Sequence, residues 1–267
     1  MQVSQAECEQ GGLTDENLAI ALRTLREAGY VVLEGVLPKA WVETLRVAFD
    51  EELLREVKGK DGLKNSKGHC GVGAPMRMPF MHRLAIENPF ACQIMEAAMG
   101  ADIFSYLSYG CNTSWPGSGI QNLHRDTRQL FPGLPFVLPV SIVVVNIPLV
   151  DFTVENGCTE VWPGSHLIVD QDASDIEKQM ERAAQLPSVR LTMPAGSVVV
   201  RDLRCWHRGM PNRTQTIRTM TAMVYFRQFH HLPDTMGVFN PKVPQEIWDG
   251  MSDRAKRLYR YNAPDKT

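Results

Sequence analysis

Apolar residues follow two different patterns along the chain, one typical of helices and one of strands. Near the N-terminus they recur every three to four positions over 18–25, which predicts an amphipathic helix. Thr14 precedes this segment, and its hydroxyl is suited to cap the first helical turn. The β-branched and aromatic run over 30–33 then predicts a short strand. Further helices are predicted to begin near Lys39 and just after Pro89.

From about residue 103 onward, short apolar runs alternate with turn-forming residues. Pro-Gly and Asn-Gly pairs separate many of these runs and predict tight turns between them. The predicted strands lie within Ile103 to Ser108, Val140 to Ile147, Thr159 to Val161, Ser197 to Arg201, and Met220 to Phe226. Many short strands with regular turns predict a mainly β fold with flanking helices, as a sandwich or a jelly roll.

No linker of different composition interrupts the sequence, so residues 1–267 are predicted to form a single domain. A helical N-terminal buttress is expected over about 14–100 and the β core over about 101–230. A C-terminal helical segment is expected over about 231–267, and the stretch 174–186 predicts a helix inserted in the core.

One long segment, over 58–80, follows no period and is dominated by Lys, Gly and Met. This composition predicts a long loop, and long loops in compact domains often act as active-site lids. A surface excursion without a role in the reaction is the alternative interpretation.

Composition is that of an ordinary globular protein. Of the 267 residues, 44% are hydrophobic, and 28 basic residues nearly balance 30 acidic ones. This balance argues against a nucleic-acid partner, and no apolar run is long enough to predict a membrane span. The six cysteines form no C-x-x-C pair, and the N-terminus lacks the regions of a signal peptide. We therefore expect reduced thiols in a cytoplasmic protein, with a monomer and a homodimer both open.

Three side chains that could hold a metal ion are far apart in the sequence. His124 and Asp126 form an H-x-D pair, and on an extended strand such residues project to the same face. His207 follows about 80 residues later, after a predicted strand. Two histidines and one carboxylate make up the facial triad of non-haem Fe(II) oxygenases. An H-x-D pair alone is weak evidence, since a histidine more often has a structural role.

Arg218 strengthens the metal hypothesis. It follows His207 by eleven residues, on the approach to a predicted strand. A guanidinium is the best bidentate partner for a carboxylate, so Arg218 is a candidate to hold the distal carboxylate of 2-oxoglutarate. The alternative interpretation of Arg218, taken alone, is a surface charge at a strand edge.

Three blocks of the sequence carry a family likeness. They are LRTLREAGYVVLEGVL at 22–37, ENGCTEVWPGSH at 155–166, and AGSVVVRD at 195–202 with WHRG at 206–209. Together they resemble the phytanoyl-CoA dioxygenase family of Fe(II)/2-oxoglutarate-dependent oxygenases, over about 16–228. The resemblance implies a double-stranded β-helix core, which is a cupin-like jelly roll, and it is strongest to members that tailor natural products.

The resemblance also implies roles for individual residues. The implied iron ligands are His124, Asp126 and His207. Arg218 matches the arginine that anchors 2-oxoglutarate, and Thr159 matches a hydroxyl that helps to bind it. Gln121 stands where related fungal enzymes place an amide near the co-substrate, with Asn122 as a competitor. The implied cofactors are Fe(II), 2-oxoglutarate and O2, whereas His166 is interpreted as a turn or packing residue.

The reaction that the family implies couples oxidation of a C–H bond to conversion of 2-oxoglutarate into succinate and CO2. The presence of Asp126 disfavours halogenation, because halogenases in the family replace this ligand with a small residue. Hydroxylation, desaturation and rearrangement remain open. The preferred substrate is a small, largely apolar metabolite, with an acyl-CoA or an amino acid as the alternative within the family. A non-catalytic β-sandwich that binds a ligand and a Zn(II) hydrolase are the alternatives outside it.

Candidate substrate contacts come from the predicted lid and from the predicted strands. Methionines near the lid offer adaptable apolar surface, and an arginine beside them could meet a polar substrate group. Apolar strand residues could complete the pocket wall. The candidates are Arg77, Met78, Ile142, Val224 and Phe226.

Overall fold

The computed structural model describes residues 1–58, 67–131, 133–169, 176–231 and 241–265. Its α-helices are α1 Gln5–Gln10, α2 Asp15–Ala28, α3 Lys39–Lys58, α4 Arg83–Ile86, α5 Pro89–Met99, α6 Ile176–Ala183, α7 Gln245–Gly250 and α8 Asp253–Leu258. Short 3-10 helices cover Ser165–Leu167, Gln228–His230 and Arg260–Asn262. None of the helices in this part of the chain combines the length and the apolar composition that crossing a bilayer requires.

The strands form a larger and a smaller antiparallel sheet. They are β1 Tyr30–Leu33, β2 His69–Cys70, β3 Ile103–Ser105, β4 Gly110–Ser114, β5 Ile142–Asn146, β6 Glu160–Val161, β7 Val189–Arg190, β8 Val198–Asp202, β9 His207–Arg208 and β10 Arg218–Arg227. The larger sheet has the order β1-β8-β5-β10-β4-β2, with β3 also paired to β10. The smaller sheet has the order β7-β6-β9.

β10 organises the larger sheet. Its first half, from Arg218 to Ala222, pairs with β4, and the stretch from Met223 to Phe226 pairs with β5. β3 pairs with the C-terminal end of β10 from the other side. A single strand of ten residues therefore runs from a polar end, at Arg218, to an apolar end, at Phe226.

An apolar cluster joins the two sheets. Val161 of β6 is buried together with Val199 of β8 and Met220 of β10. Phe152 belongs to the same cluster and forms a bridge to Met193 just before β8. Removal of this apolar surface from water holds the smaller sheet against one face of the larger sheet.

Helices cover the opposite face of the larger sheet. Val145 on this face is buried in the same cluster as Leu25 of α2 and Ile94 of α5. The hydroxyl of Tyr225 donates to the carbonyl of Ile86 at 3.0 Å, so its polar atom is satisfied inside the core. The fold is thus mainly β, with helices packed on the outside of an antiparallel sheet.

Most elements predicted from the apolar pattern are confirmed. Helix α2 is capped by the Thr14 side chain and ends at Gly29, and the strand over 30–33 follows it directly. α3 begins at Lys39, α5 begins at Pro89, and α6 lies within the predicted insert over 174–186. α7 and α8 lie in the segment where C-terminal helices were expected.

Four short strands, β2, β4, β7 and β9, were not predicted. β4 reads Gly-Cys-Asn-Thr-Ser and has no apolar alternation, but pairing with β10 and β2 on its two sides supplies its hydrogen bonds. The loop prediction over 58–80 is wrong at 69–70, which form β2 at the edge of the larger sheet. Residues 59–66 of that predicted lid lie outside the described residues.

Candidate active site

His124 and His207 are brought together by their backbones. They form an isolated antiparallel bridge in which His124 N donates to His207 O at 3.1 Å and His207 N donates to His124 O at 2.9 Å. His207 begins β9 and is also the register partner of Val161. The H-x-D segment was expected to be an extended strand, whereas the structure has only this bridge at His124.

A second backbone contact places Asp126 next to the two histidines. Its amide donates to the carbonyl of Leu203 at 3.0 Å, so the H-x-D segment runs alongside 203–207. Asp126 Oδ1 lies 3.8 Å from His124 Nε2 and 3.7 Å from His207 Nε2. One donor atom from each of these three residues, the candidate triad, lies within 4.8 Å of the other two.

Carbonyl groups fix the orientation of both imidazoles. His124 Nδ1 lies 2.9 Å from the carbonyl of Asn122, and His207 Nδ1 lies 3.1 Å from the carbonyl of Cys205. A carbonyl can only accept, so each Nδ1 donates its hydrogen and each Nε2 keeps a lone pair. Both lone pairs are then free for a metal ion, and two imidazoles with one carboxylate are a donor set that suits Fe(II).

The electrostatic surroundings keep the donors in the forms that bind metals. Burial and the neighbouring Arg201 guanidinium lower the pKa of His207 to about 3, so the ring is neutral. Burial alone would raise the pKa of Asp126, but the charge of the Arg201 guanidinium and its hydrogen bond to the carboxylate lower the pKa overall. Asp126 is therefore a carboxylate at neutral pH.

Arg218 lies at the start of β10, with its side chain buried in the same region. Its guanidinium carbon is 4.7 Å from the centre of the Phe152 ring, and its Nε has no hydrogen-bond partner among the described residues. Burial lowers the pKa of Arg218 to about 10, so it is still charged at neutral pH. A buried cation without an anionic partner is costly, and this arrangement fits a site for an anionic ligand.

A cavity of about 200 Å³ connects the candidate triad with Arg218. Thr159 and Gln121, both singled out from the sequence, also line it. Gln121 Oε1 accepts from the amide of Gly209 at 2.8 Å, which leaves its amide hydrogens for a ligand. The competing Asn122 instead contacts Lys67 through its side-chain oxygen at 3.2 Å, away from the cavity.

Several cavity residues were missed by the sequence analysis. His69 belongs to β2 and its Nε2 lies 2.7 Å from the carbonyl of Gly119. Asn112 lies on β4, a strand that was not predicted. Arg201 lies behind the triad and donates to Asp126 at 2.8 Å, but its position at the end of an apolar strand gave no signal of this contact. His69 and Asn112 were hidden because their strands have no recognisable pattern.

The five candidate substrate contacts do not line this cavity. Arg77 and Met78 line a separate cleft beside the C-terminal helices, and Arg77 pairs with Glu52 at 2.8 Å. The other three candidates lie on strands of the larger sheet. In the sheet register, Val144 pairs with both Arg201 and Val224, so Val224 shares a sheet face with Arg201. Phe226 and its partner Ile142 lie further along the same face, and all five remain predictions as substrate contacts.

His166 has the position of a packing residue. Its Nε2 lies 3.1 Å from the carbonyl of Arg26, at the end of α2. A Cβ atom at Gly29 would lie 2.6 Å from its Nδ1, and Gly29 has the positive φ of 84° that glycine adopts readily. His166 therefore packs the PGSH turn, residues 163–166, against the end of α2.

Comparison with known proteins agrees with this fold and cavity. The sequence profile of the phytanoyl-CoA dioxygenase (PhyH) family matches residues 25–220. Dioxygenase aneA of Aspergillus aculeatus is 25% identical over 257 residues, covering 91% of this chain and 82% of the relative. Dioxygenase af480 of Aspergillus fumigatus is 27% identical over 247 residues, covering 91% of this chain and 76% of the relative.

Solved structures are similar as well. The non-heme alpha ketoglutarate dependent carbocyclase SnoK from nogalamycin biosynthesis superimposes with a TM-score of 0.59 at 25% identity, covering 82% of this chain and 85% of SnoK. The epimerase SnoN from the same biosynthesis superimposes with a TM-score of 0.59 at 21% identity, covering 83% of this chain and 92% of SnoN, and it shares the fold. The family match extends over well more than half of the sequence. This chain belongs to the phytanoyl-CoA dioxygenase (PhyH) family and is a 2-oxoglutarate-dependent dioxygenase.

Proposed function

We propose that this chain binds Fe(II) through the candidate triad and uses 2-oxoglutarate and O2 to oxidise a C–H bond of a small, largely apolar metabolite. The observation that carries the proposal is that one cavity contains both the triad and Arg218. Arg218 Nε has no partner among the described residues, and the distal carboxylate of 2-oxoglutarate would satisfy it.

The protein's contribution to the reaction is to hold and orient its ligands. His124, Asp126 and His207 would hold the metal through two Nε2 atoms and one carboxylate oxygen. Fe(II), when bound there, supplies the open coordination positions at which a 2-oxo acid and O2 react. Arg218 would fix the far end of the co-substrate, and the Phe152 ring shields that guanidinium on one side.

Thr159 and Gln121 would orient the co-substrate between these two ends. Both line the cavity, and the Gln121 amide is held in place by the hydrogen bond from Gly209 N to its Oε1. A co-substrate held at both ends can present its reacting carboxylate in one orientation only, which is the main way in which positioning accelerates a reaction.

The choice of substrate is supported by the relatives and by the sheet face beside the triad. SnoK and SnoN are described as enzymes of nogalamycin biosynthesis. Beyond Arg201, the same sheet face carries Val224, Ile142 and Phe226, and the Phe226 ring stacks on Phe104 at 5.3 Å. An apolar face beside the metal position suits a natural-product intermediate better than a charged substrate.

The two sheets are proposed to be the halves of a double-stranded β-helix. Their antiparallel strands, the apolar cluster between them and the likeness to SnoK support this assignment. A single catalytic domain, a cytoplasmic location and a possible homodimer stay predictions from the sequence.

An anaerobic titration tests the proposed function. Fe(II)-loaded protein is mixed with 2-oxoglutarate, and the resemblance implies a visible charge-transfer band. Candidate metabolites are then screened for O2-dependent succinate release. The mass of the product shows how the metabolite was changed. A gain of one oxygen indicates hydroxylation, and a loss of two hydrogens indicates desaturation.

Asp126→Ala should abolish succinate release, because it removes the only carboxylate of the triad. Asp102→Ala is the matched control, since this carboxylate is exposed and pairs with Arg260 at 3.0 Å on the surface. Full activity in Asp126→Ala, or folded wild-type protein that gives no band, contradicts the proposal.

A further inference from the structure

Arg201 contacts two members of the candidate triad from behind. Its Nη2 donates to Asp126 Oδ2 at 2.8 Å, and its Nη1 lies 3.2 Å from His207 Nδ1. These are the atoms that face away from the metal position, since Asp126 Oδ1 and the two Nε2 atoms point towards one another. The side chain of Arg201 is only 5% exposed, so solvent competes little for these contacts.

The backbone of Arg201 is fixed on both sides. It lies in β8, where it pairs with Tyr30 of β1 and with Val144 of β5. A residue in an interior strand has little freedom to move, and a guanidinium is planar and rigid. The position of Asp126 Oδ2 is therefore set by the larger sheet rather than by the loop that carries Asp126.

We propose that Arg201 is a positioning residue that keeps Asp126 bound to the metal through one oxygen only. The inference rests on the metal site proposed above. Because Oδ2 is engaged by Arg201, only Oδ1 is available to the ion. A carboxylate bound through both oxygens would occupy one more coordination position. A facial triad leaves three positions, and a bidentate 2-oxo acid together with O2 uses all of them.

The two contacts of Arg201 need a guanidinium rather than a positive charge alone. One terminal nitrogen donates to Asp126 Oδ2, while the other packs 3.2 Å from His207 Nδ1 without a hydrogen bond, because that ring nitrogen donates to the carbonyl of Cys205. A lysine ammonium is a single point on a flexible stem and cannot reproduce this arrangement. Arg201→Lys therefore keeps the positive charge but removes the rigid planar group that carries it.

Arg204→Lys is a matched control. Arg204 is also a buried arginine, three residues further along the chain. It donates to Asp202, to Gln129 and to the carbonyl of Leu138, and it makes no hydrogen bond to the triad within the described part of the chain. A general loss of packing would affect both variants, whereas a loss of carboxylate positioning would affect only Arg201→Lys.

Binding of Co(II) alone, followed by its visible d–d absorption, tests the inference without turnover. We expect Arg201→Lys to bind Co(II) about 10- to 100-fold more weakly, the usual effect of losing a partner behind a metal ligand. We also expect its d–d bands to change in intensity, because the coordination number changes. Arg204→Lys should keep the affinity and the spectrum of the wild type. Equal affinity and equal spectra for Arg201→Lys and wild type would overturn the inference, while a wild type that binds no Co(II) would overturn the metal site itself.

A crystal structure of wild-type protein with Mn(II) provides a second test that needs no variant. The expected result is one Asp126 oxygen on the metal and the other on Arg201. Both carboxylate oxygens on the metal would overturn the inference even if Arg201→Lys fails to fold.

Discussion

Arg201 and Arg218 are both buried near the candidate triad, but they have different partners. Arg201 donates to Asp126, whereas Arg218 Nε has no partner among the described residues and its guanidinium lies over the Phe152 ring. A buried charge that has no ion-pair partner among the described residues costs free energy, so Arg218 should destabilise the folded chain until an anion binds. This conflict between stability and binding is expected at a functional site.

Replacing Arg218 should therefore have two opposite effects. Arg218→Met removes the buried charge and keeps an apolar side chain of similar length, so the free energy of unfolding without ligands should rise by at least ~1 kcal/mol. The same change should weaken 2-oxoglutarate binding by about tenfold or more, because a charge-assisted contact is lost. Urea denaturation and anaerobic titration of the Fe(II)-loaded protein measure the two effects.

The control is Arg204→Met, which removes a buried arginine that has a partner. Arg204 pairs with the buried Asp202 at 2.7 Å, and the carboxylate left behind should cost about 3–5 kcal/mol. If Arg218→Met is destabilised to the same extent, then Arg218 is satisfied in the unliganded protein and the argument for an anion site fails.

The strand β2 and the loop before His124 meet at Gly209, directly after β9. A Cβ atom at this position would lie 2.6 Å from Gln121 Oε1 and 2.7 Å from His69 Cε1. Gln121 and His69 both line the cavity, and one is held by a hydrogen bond from Gly209 itself. The absence of a side chain at Gly209 thus lets the loop before His124 and the strand β2 approach β9.

Gly209→Ala should displace Gln121 and His69 and weaken 2-oxoglutarate binding by about tenfold, or about 1.4 kcal/mol. Gly250→Ala, at the end of α7, is the control because no atom of the described residues lies within 4 Å of its Cβ position. Isothermal titration of both variants with 2-oxoglutarate makes the comparison. Unchanged affinity in Gly209→Ala would mean that neither neighbour contributes to co-substrate binding.

The N-terminal helix α1 is attached through one carboxylate. Glu7 accepts hydrogen bonds from the amides of Thr14 and Ser4 and from the Asn17 side chain. The backbone hydrogen bonds, with Thr14 first, lower the pKa of Glu7 to about 2 from 4.5. A lowered carboxyl pKa means that the folded state favours the charged form, so its stabilisation is complete above pH 4.5 and is lost as the pH falls through about 2.

Glu7→Gln should consequently be less stable than wild type by about 1–2 kcal/mol at pH 7. The difference should shrink as the pH falls below 4.5 and disappear near pH 2. Urea denaturation of both proteins across this range gives the comparison. A stability difference that does not change with pH would contradict the assigned role of the Glu7 charge.

The sequence was sufficient for elements with strong periodicity and insufficient for those defined by their neighbours. α2 and the strand over 30–33 have apolar patterns and cap signals of their own, and both were predicted. β4 and β2 have none, because their hydrogen bonds are supplied by strands distant in the sequence. His69 and Asn112 were missed for this reason, since a cavity residue cannot be recognised before its strand is placed.

The candidate triad and Arg218 could be selected in advance because their residue types and order are distinctive. Arg201 could not, because its contact with Asp126 depends on the register of β8 against β5. The proposed substrate contacts at Arg77 and Met78 lie in another cleft, since proximity to a predicted lid says nothing about distance from the metal position.

The candidate active site is assembled from both sheets. His207 and Thr159 come from the region of the smaller sheet, whereas Arg218 and Arg201 belong to the larger sheet. A ligand that contacts both sheets stabilises the folded state by mass action, because it binds the folded chain only.

In the Co(II)-loaded protein, 2-oxoglutarate at 100 times its dissociation constant should therefore add about 2.7 kcal/mol to the free energy of unfolding. For a chain of this size, the unfolding midpoint should rise by roughly 5–10 °C. Thermal denaturation followed by circular dichroism measures the shift. In Arg218→Met, Co(II) should still raise the unfolding midpoint, whereas 2-oxoglutarate should add little to it. If 2-oxoglutarate raised the midpoint equally in Arg218→Met and in the wild type, the role of Arg218 as the anchor would be contradicted.

The length of β10 has a consequence for how new specificities could arise. Arg218 begins the strand and Phe226 lies eight residues further on, which corresponds to about 26 Å along an extended backbone. Side chains at the distal end can therefore be exchanged without disturbing the anchor at the proximal end. A protein engineer could diversify the proposed substrate contacts at Val224 and Phe226 in a library while every member keeps the same co-substrate anchor.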